Sequence, residues 1–189
     1  MSDSPDAPET TALLNALAKR AKEYVGSQAA GGKLLAALFE GYRDAIEKSH
    51  SGIATLVCEM LSAHLRQNLI VLMRKSDHKM ITKRLFEDYG PLNNIRSRID
   101  LAYALEVIDT QTYRDLVLMN SIRVKFAHAL SVRKFSDGDI ADLIYKLHPA
   151  GKKAVEPATY IAKAMEIAAK LGQHFDFQVE KLRNKGLET

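Results

Sequence analysis

The sequence has no tryptophan, one cysteine, five prolines and ten glycines among its 189 residues. A single cysteine, Cys58, cannot form a disulfide within the chain, so we expect a buried thiol and a reducing, cytoplasmic setting. No segment reaches about 18 uncharged apolar residues. The N-terminal "MSDSPDAPETT" also lacks the basic and apolar parts of a secretion signal. These absences predict a protein that is neither exported nor membrane-spanning.

The charged residues are nearly balanced. Lysine and arginine number 27 and aspartate and glutamate 23, which gives a formal net charge of +4. So small an excess aids solubility but is not by itself the footprint of a nucleic-acid-binding protein. With 47% hydrophobic and 26% charged residues, the chain fits one globular domain better than a disordered or fibrous protein.

Apolar residues recur every three or four positions along most of the chain, which predicts helices. Because no alternating strand pattern and no internal repeat occur, we predict an all-α single domain, an irregular bundle of about six to eight helices. The predicted organisation is a disordered tail at 1–9, a helix and glycine-rich break at 10–32, a helical core at 33–150, and a linker with a long C-terminal helix at 151–189.

Two signals set helix boundaries inside this core. Gly90 and Pro91 form a stop signal, and Pro91 then suits the first turn of a helix that runs to about Asp109. Thr110 is the predicted N-cap of the next helix, which continues to Leu130. That helix is apolar nearly all round, and we therefore expect it to be central.

The central helix carries an arginine at the edge of its apolar arc. At 100° per residue, one arc contains Leu116, Met119, Ile122, Phe126 and Leu130. Arg123 borders this arc and is predicted to be at least half buried. Because an unpaired buried charge costs several kcal/mol, Arg123 should form a polar anchor with a carboxylate. The candidates are Asp100, Asp115 and Asp88.

His128 follows in the same helix, about 140° around the axis from Arg123. The two side chains diverge within one straight helix, so we do not expect an intrachain acid–base pair. A histidine on a buried helix is more often a hydrogen-bonded structural residue than a catalyst.

Complete catalytic or metal-binding sets are absent from the sequence. Glu59 with His64, and Asp77 with His78, lack the spacing that places two metal ligands on one helix face. The stretch "GSQAAGGK" lacks the preceding strand and the following Ser or Thr of a phosphate-binding loop. No nucleophile elbow occurs either. We therefore predict no enzyme activity, no cofactor and no metal.

Basic residues cluster in "RKSDHKMITKR" at 74–84. The cluster predicts either a solvated helix face or contact with phosphate or an RNA backbone. No tight helix–turn–helix arrangement accompanies it, so direct DNA binding is not expected.

A collinear series of motifs lies in residues 85–130. Its elements are Gly90-Pro91-Leu92, Arg98-Ile99, Leu101-Ala102-Tyr103-Ala104-Leu105, Ile108, Tyr113-Arg114-Asp115-Leu116, Ile122-Arg123 and Phe126-Ala127-His128. The series resembles the mannitol operon repressor family, cytoplasmic bacterial regulators with an all-helical fold. One departure is Glu106, which stands where a glycine is common.

This resemblance implies a non-enzymatic transcriptional regulator, acting through protein contacts on sugar (mannitol) uptake genes and forming a homo-dimer or higher oligomer. "IRVKFAH" at 122–128 also fits the Arg-x(4-6)-His pattern of HEPN-type helical domains, many of which bind or cleave RNA. In that alternative, Arg123 and His128 of two subunits would face each other over an RNA phosphate. Val124 departs from the polar residue usual after the arginine, which argues against cleavage.

Overall fold

A computed structural model describes residues 49–73, 78–87, 89–129, 133–147 and 157–184. These ranges contain six helices and no strand, which confirms the predicted all-α class. The helices are α1 (His50–Val71), α2 (His78–Phe86), α3 (Ile95–Ala104), α4 (Thr110–Ala127), α5 (Gly138–Leu147) and α6 (Pro157–Asn184). The predicted tail at 1–9, the helix and break at 10–32, Asp88 and Leu130 lie outside the described residues, as does most of the linker that opens 151–189.

The described residues divide into two compact units. One comprises 49–57, 122–129, 133–147 and 157–162, and the other comprises 58–73, 78–87, 89–121 and 163–184. Helices α1, α4 and α6 are each continuous from one unit into the other. Each unit therefore contains parts of these three helices, and within the described residues both units are all-α.

The first unit is built around Phe135, whose side chain is fully buried. Its ring centroid lies 5.0 Å from that of Phe126 and 5.2 Å from those of Tyr160 and His50. The backbone N–H of Phe135 donates to His50 Nδ1 over 3.0 Å. Burial, together with the charge of Lys134, lowers the pKa of His50, so neutral pH favours the unprotonated ring that accepts this bond.

The second unit packs leucines of α1 against α4 and α6. Its fully buried side chains include Leu61, Leu65, Leu69, Leu116, Met119 and Leu171. Cys58 is buried, as expected, and its thiol lies 3.6 Å from the Met119 carbonyl oxygen. Asn68 joins α1 to α6, because its amide donates to the Leu171 carbonyl over 3.0 Å and its Oδ1 lies 2.8 Å from His174 Nδ1.

The predicted apolar arc of α4 is confirmed over its described length. Leu116, Met119 and Ile122 are fully buried, and Phe126 is 5% exposed. The predicted end of this helix near Leu130 is wrong, because α4 ends at Ala127. Its start differs by one residue: Asp109, rather than Thr110, is the cap, since its carboxylate accepts the Thr112 N–H over 2.6 Å.

The end of α3 corrects the prediction of a helix running to Asp109. The helix stops at Ala104, and Glu106 follows in the left-handed region with φ 58°. The Glu106 N–H bonds the Tyr103 carbonyl over 3.1 Å, and the Val107 N–H bonds the Ala102 carbonyl over 2.9 Å. These two bonds form a Schellman motif, which satisfies the last carbonyls of the helix and turns the chain toward α4.

The start of α3 also differs from the prediction. Pro91 lies in the turn before the helix and not in its first turn. Asn94 is the N-cap, with extended backbone angles and a side chain that accepts the Ser97 N–H over 2.9 Å. An asparagine cap satisfies one of the N–H groups left over at a helix start, so Asn94 sets the boundary.

Candidate interaction surface

Two tyrosines meet at the surface of the second unit, one from α3 and one from α4. The ring centroids of Tyr103 and Tyr113 lie 4.6 Å apart with the ring planes inclined at 32°. Tyr103 remains 41% exposed, and its hydroxyl lies 3.2 Å from the Thr110 hydroxyl. The turn formed by the Schellman motif brings the two helices to this contact.

Polar bonds hold the second ring in place. The Tyr113 hydroxyl donates to one carboxylate oxygen of Asp100 over 3.1 Å, and Arg96 Nε donates to the other over 3.0 Å. Arg96 also donates from Nη2 to the Tyr113 hydroxyl over 3.0 Å, and its guanidinium lies 5.8 Å from the ring centroid. The bond to Asp100 raises the pKa of the Tyr113 phenol and also that of Arg96.

An exposed leucine completes what we call the tyrosine surface. Leu105, the C-cap of α3, is 49% exposed. The surface consists of Arg96, Asp100, Tyr103, Leu105, Thr110 and Tyr113. Tyrosine and arginine are the residue types that concentrate binding energy in protein interfaces. Because the ring positions are fixed before binding, a partner would lose less side-chain entropy on docking.

A buried arginine, Arg98, lies on α3 two residues after Arg96. The residue is only 9% exposed. Arg98 Nε donates to the Leu92 carbonyl over 2.7 Å, Nη1 donates to the Ser62 hydroxyl over 2.7 Å, and Nη2 donates to the Asn93 carbonyl over 3.2 Å. Its guanidinium also lies 5.4 Å from the Phe86 ring centroid. Arg98 thus joins α1, α2 and the turn before α3.

That turn depends on a close backbone approach at Gly90. A Cβ placed there would lie 2.6 Å from the carbonyl carbon of Leu85 and closer still to its oxygen. The Leu92 N–H then donates to the same Leu85 carbonyl over 2.8 Å. Leu92 is buried, whereas Pro91 is exposed. Gly90 and Leu92 therefore shape the turn that Arg98 holds.

The motifs that carry the family resemblance thus serve two purposes. Gly90, Leu92 and Arg98 fix the turn before α3, while Tyr103 and Tyr113 lie on the tyrosine surface. The burial of Arg98 was not among the predictions from the sequence. The signal was available, because the buried residues of α3 are Arg98, Ile99 and Ala102, a helical spacing that places the arginine on the apolar face.

The predicted polar anchor pairs Arg123 with a carboxylate, either Asp100 or Asp115. Asp115 is buried; it accepts from the Gln111 amide over 2.9 Å and lies 3.5 Å from Lys163 Nζ. Asp100 is not buried, because it belongs to the exposed network with Arg96 and Tyr113. Arg123 is partly buried. Its pairing with either carboxylate stays a prediction.

His128 is exposed and lies in the turn after α4 has ended. Its backbone N–H still bonds the Val124 carbonyl over 3.1 Å. The other aromatic residue of that motif, Phe126, belongs to the core around Phe135. The motif "FAH" is thus split between the core and the surface.

Two absences within the described ranges concern metal sites and membrane-spanning helices. No three His, Cys, Asp or Glu side chains in these ranges come together as a possible metal site. Among the helices of the same ranges, none is long and apolar enough to cross a membrane.

Comparison with known proteins gives a consistent result. A family model described as "Mannitol repressor" matches residues 44–185. Two relatives named "Mannitol operon repressor", from Escherichia coli strains K12 and O6:H1 (CFT073), are each 32% identical over 108 residues, or 53% of this chain and 55% of the relative. The chain therefore spans about half the length of these relatives. The X-ray structure of the MtlR–HPr complex from Escherichia coli is 21% identical with a TM-score of 0.48, covering 71% of this chain and 90% of that one.

Proposed function

Because the chain belongs to the mannitol repressor family, we propose that it is a non-enzymatic regulator of transcription that acts through protein contacts. The regulated genes on this proposal are those of sugar uptake, mannitol in particular, as the names of the relatives suggest. Such a regulator works in the cytoplasm. Direct DNA binding is not part of the proposal, since the sequence has no recognition-helix arrangement.

The observation that carries the proposal is the tyrosine surface. Tyr103 and Tyr113 belong to the family motifs, yet neither is needed to fill the core. An aromatic pair with one exposed and one partly buried ring, already ordered by an arginine and a carboxylate, is suited to docking a protein.

RNA cleavage is the alternative that the Arg-x(4)-His motif suggests, and nothing in the described contacts favours it. His128 follows the end of α4, and Val124 occupies the position after Arg123. Incubation of the protein with total RNA tests this alternative, with His128→Ala as the control. RNA cleavage by the wild type and none by His128→Ala would support the ribonuclease alternative.

Self-association is a further part of the proposal. In the second half of α6, Phe175, Val179 and Leu182 recur at helical spacing and are only partly buried. Such a stripe is suited to packing against a second copy. Analytical ultracentrifugation of the wild type and of Val179→Glu tests it. A monomer at all concentrations would contradict this part.

The main test is a reporter of mannitol-operon expression in cells that lack the chain. We expect wild-type protein to lower expression, and Tyr103→Ala/Tyr113→Ala to restore it at equal protein level and unchanged helical content. Tyr145→Ala is the matched control, because Tyr145 is a comparably exposed tyrosine on α5. Full repression by the double variant would refute the role of the tyrosine surface, and no effect of the wild type would refute the regulator.

A further inference from the structure

Helix α2 exposes aliphatic side chains on its outer face. Met80 is 60% exposed and Ile81 is 42% exposed. Lys83 and Arg84 are exposed on the same nine-residue helix. We call these four residues the α2 outer face. Because Met80 and Ile81 are consecutive, they expose apolar surface together, beside two cationic side chains.

The inner side of α2 is fixed in the second unit. Thr82 and Phe86 are buried, and the Phe86 ring lies under two guanidinium groups, with Arg66 at 5.3 Å and Arg98 at 5.4 Å from its centroid. At 100° per residue, Met80 and Arg84 are turned away from Thr82 and Phe86. The α2 outer face therefore lies on the exposed side of a helix whose inner side is packed in the second unit.

The sequence of α2, HKMITKRLF, contains three basic residues and no acidic residue. The stretch 74–84 contains five basic residues and one acidic residue, and its formal charge therefore equals the net +4 of the whole chain. The rest of the sequence is neutral overall. A partner for this face should thus be acidic, because complementary charge speeds encounter and rejects basic surfaces.

We propose that the α2 outer face docks an acidic protein segment that carries apolar side chains at helical spacing. Met80 and Ile81 would contact the apolar side chains, and Lys83 and Arg84 would pair with flanking Asp and Glu residues. Nucleic acid fits less well, because single strands stack on aromatic rings and aliphatic side chains have no π-face. A membrane surface fits less well too, since amphipathic anchors bury a larger apolar face than two side chains.

The experiment measures fluorescence anisotropy of a labelled acidic peptide titrated with the full chain. The peptide consists of Glu, Ala and Leu, with leucines at positions i, i+3, i+4 and i+7, and a scrambled peptide of the same composition serves as control. We expect saturable binding of the first peptide that weakens as salt is raised. Met80→Ser/Ile81→Ser and Lys83→Glu/Arg84→Glu should each weaken it at least about tenfold.

Matched variants on another part of the surface make the result specific. Tyr145→Ser removes an exposed apolar side chain, and Lys134→Glu/Lys146→Glu makes the same change in net charge; all three residues are exposed. We expect both to leave binding within about twofold of the wild type. Circular dichroism confirms that every variant is folded.

Several results would overturn the proposal. These are no saturable binding by the wild type, equal binding of the scrambled peptide, or equal loss in the matched variants. Preferential binding of an RNA oligonucleotide or of phosphatidylserine vesicles at Met80 and Arg84 would also overturn it, because the partner would then not be a protein. A change of oligomeric state in Lys83→Glu/Arg84→Glu would assign the face to a second copy of the chain instead.

Discussion

Replacing Arg98 by methionine tests the turn before α3 most directly. Methionine keeps an unbranched side chain of similar length but removes the charge and all five N–H donors. The change withdraws the donors that now reach the Leu92 and Asn93 carbonyls and the Ser62 hydroxyl. It leaves the helix propensity of α3 almost unchanged.

The expected loss of stability follows from those acceptors. A buried acceptor that loses its partner costs about 1–2 kcal/mol. Arg98 donates four bonds, and three of them are buried: those to the Leu92 carbonyl and to the carbonyl and hydroxyl of Ser62. Part of this is offset, because the variant no longer has to desolvate a guanidinium and methionine still packs on Phe86. We therefore expect Arg98→Met to lower the free energy of unfolding by about 3 kcal/mol.

Urea denaturation followed by circular dichroism measures this change. Arg96→Met is the matched control, because Arg96 lies two residues earlier on the same helix and is about half exposed with its partner Asp100. Removing an exposed ion pair should cost less than about 1 kcal/mol. Hydrogen exchange should also show faster exchange of the Leu92 and Asn93 N–H groups in Arg98→Met. Equal losses in the two variants would refute the reasoning.

Three further predictions concern backbone geometry and pH. Glu106→Gly should raise the free energy of unfolding by about 1 kcal/mol, because φ 58° suits glycine; thermal melts check this, and an equal gain from Glu106→Ala would contradict it. Gly90→Ala should lower that free energy by about 3 kcal/mol through collision with the Leu85 carbonyl, and a urea midpoint equal to the wild type's would argue against the clash. Burial lowers the pKa of three histidines below 6.5: His50, His64 and His174. Their contribution to the free energy of unfolding is complete above the unfolded-state pKa. It is lost as pH falls through the folded-state pKa values, because the unfolded chain then binds more protons than the folded chain. Urea titrations at about pH 7.5 and about pH 5.5 should show this loss, with a smaller difference in His64→Gln.

Local sequence patterns predicted much of the fold. The arc of Leu116, Met119 and Ile122 is buried as its spacing indicates, because burial on one helix follows from the 3.6-residue repeat alone. Helix ends were less well predicted. The end of α3 depends on a left-handed Glu106, a conformation that glycine usually marks.

The candidate site was harder to predict, because its members come from different helices. The family motifs contained Tyr103 and Tyr113, but nothing in the sequence placed their rings 4.6 Å apart. Arg96 and Ser62 were not singled out, since each gains its role from a residue on another helix or beyond a turn. The predicted anchor pairs Arg123 with Asp100 or Asp115, and residue spacing in the sequence cannot identify which carboxylate is the partner.

The sequence by itself determined the helical class, the buried faces of single helices and, through its motifs, the family. Each of these depends on residues close together in the chain or on a collinear pattern. Only the tertiary structure decided that Arg98 is buried while Arg96 is exposed and supports the tyrosine surface. The reason is physical: the two arginines lie two positions apart on one helix, about 200° around its axis, and the elements packed on each side give one a buried role and the other an exposed one.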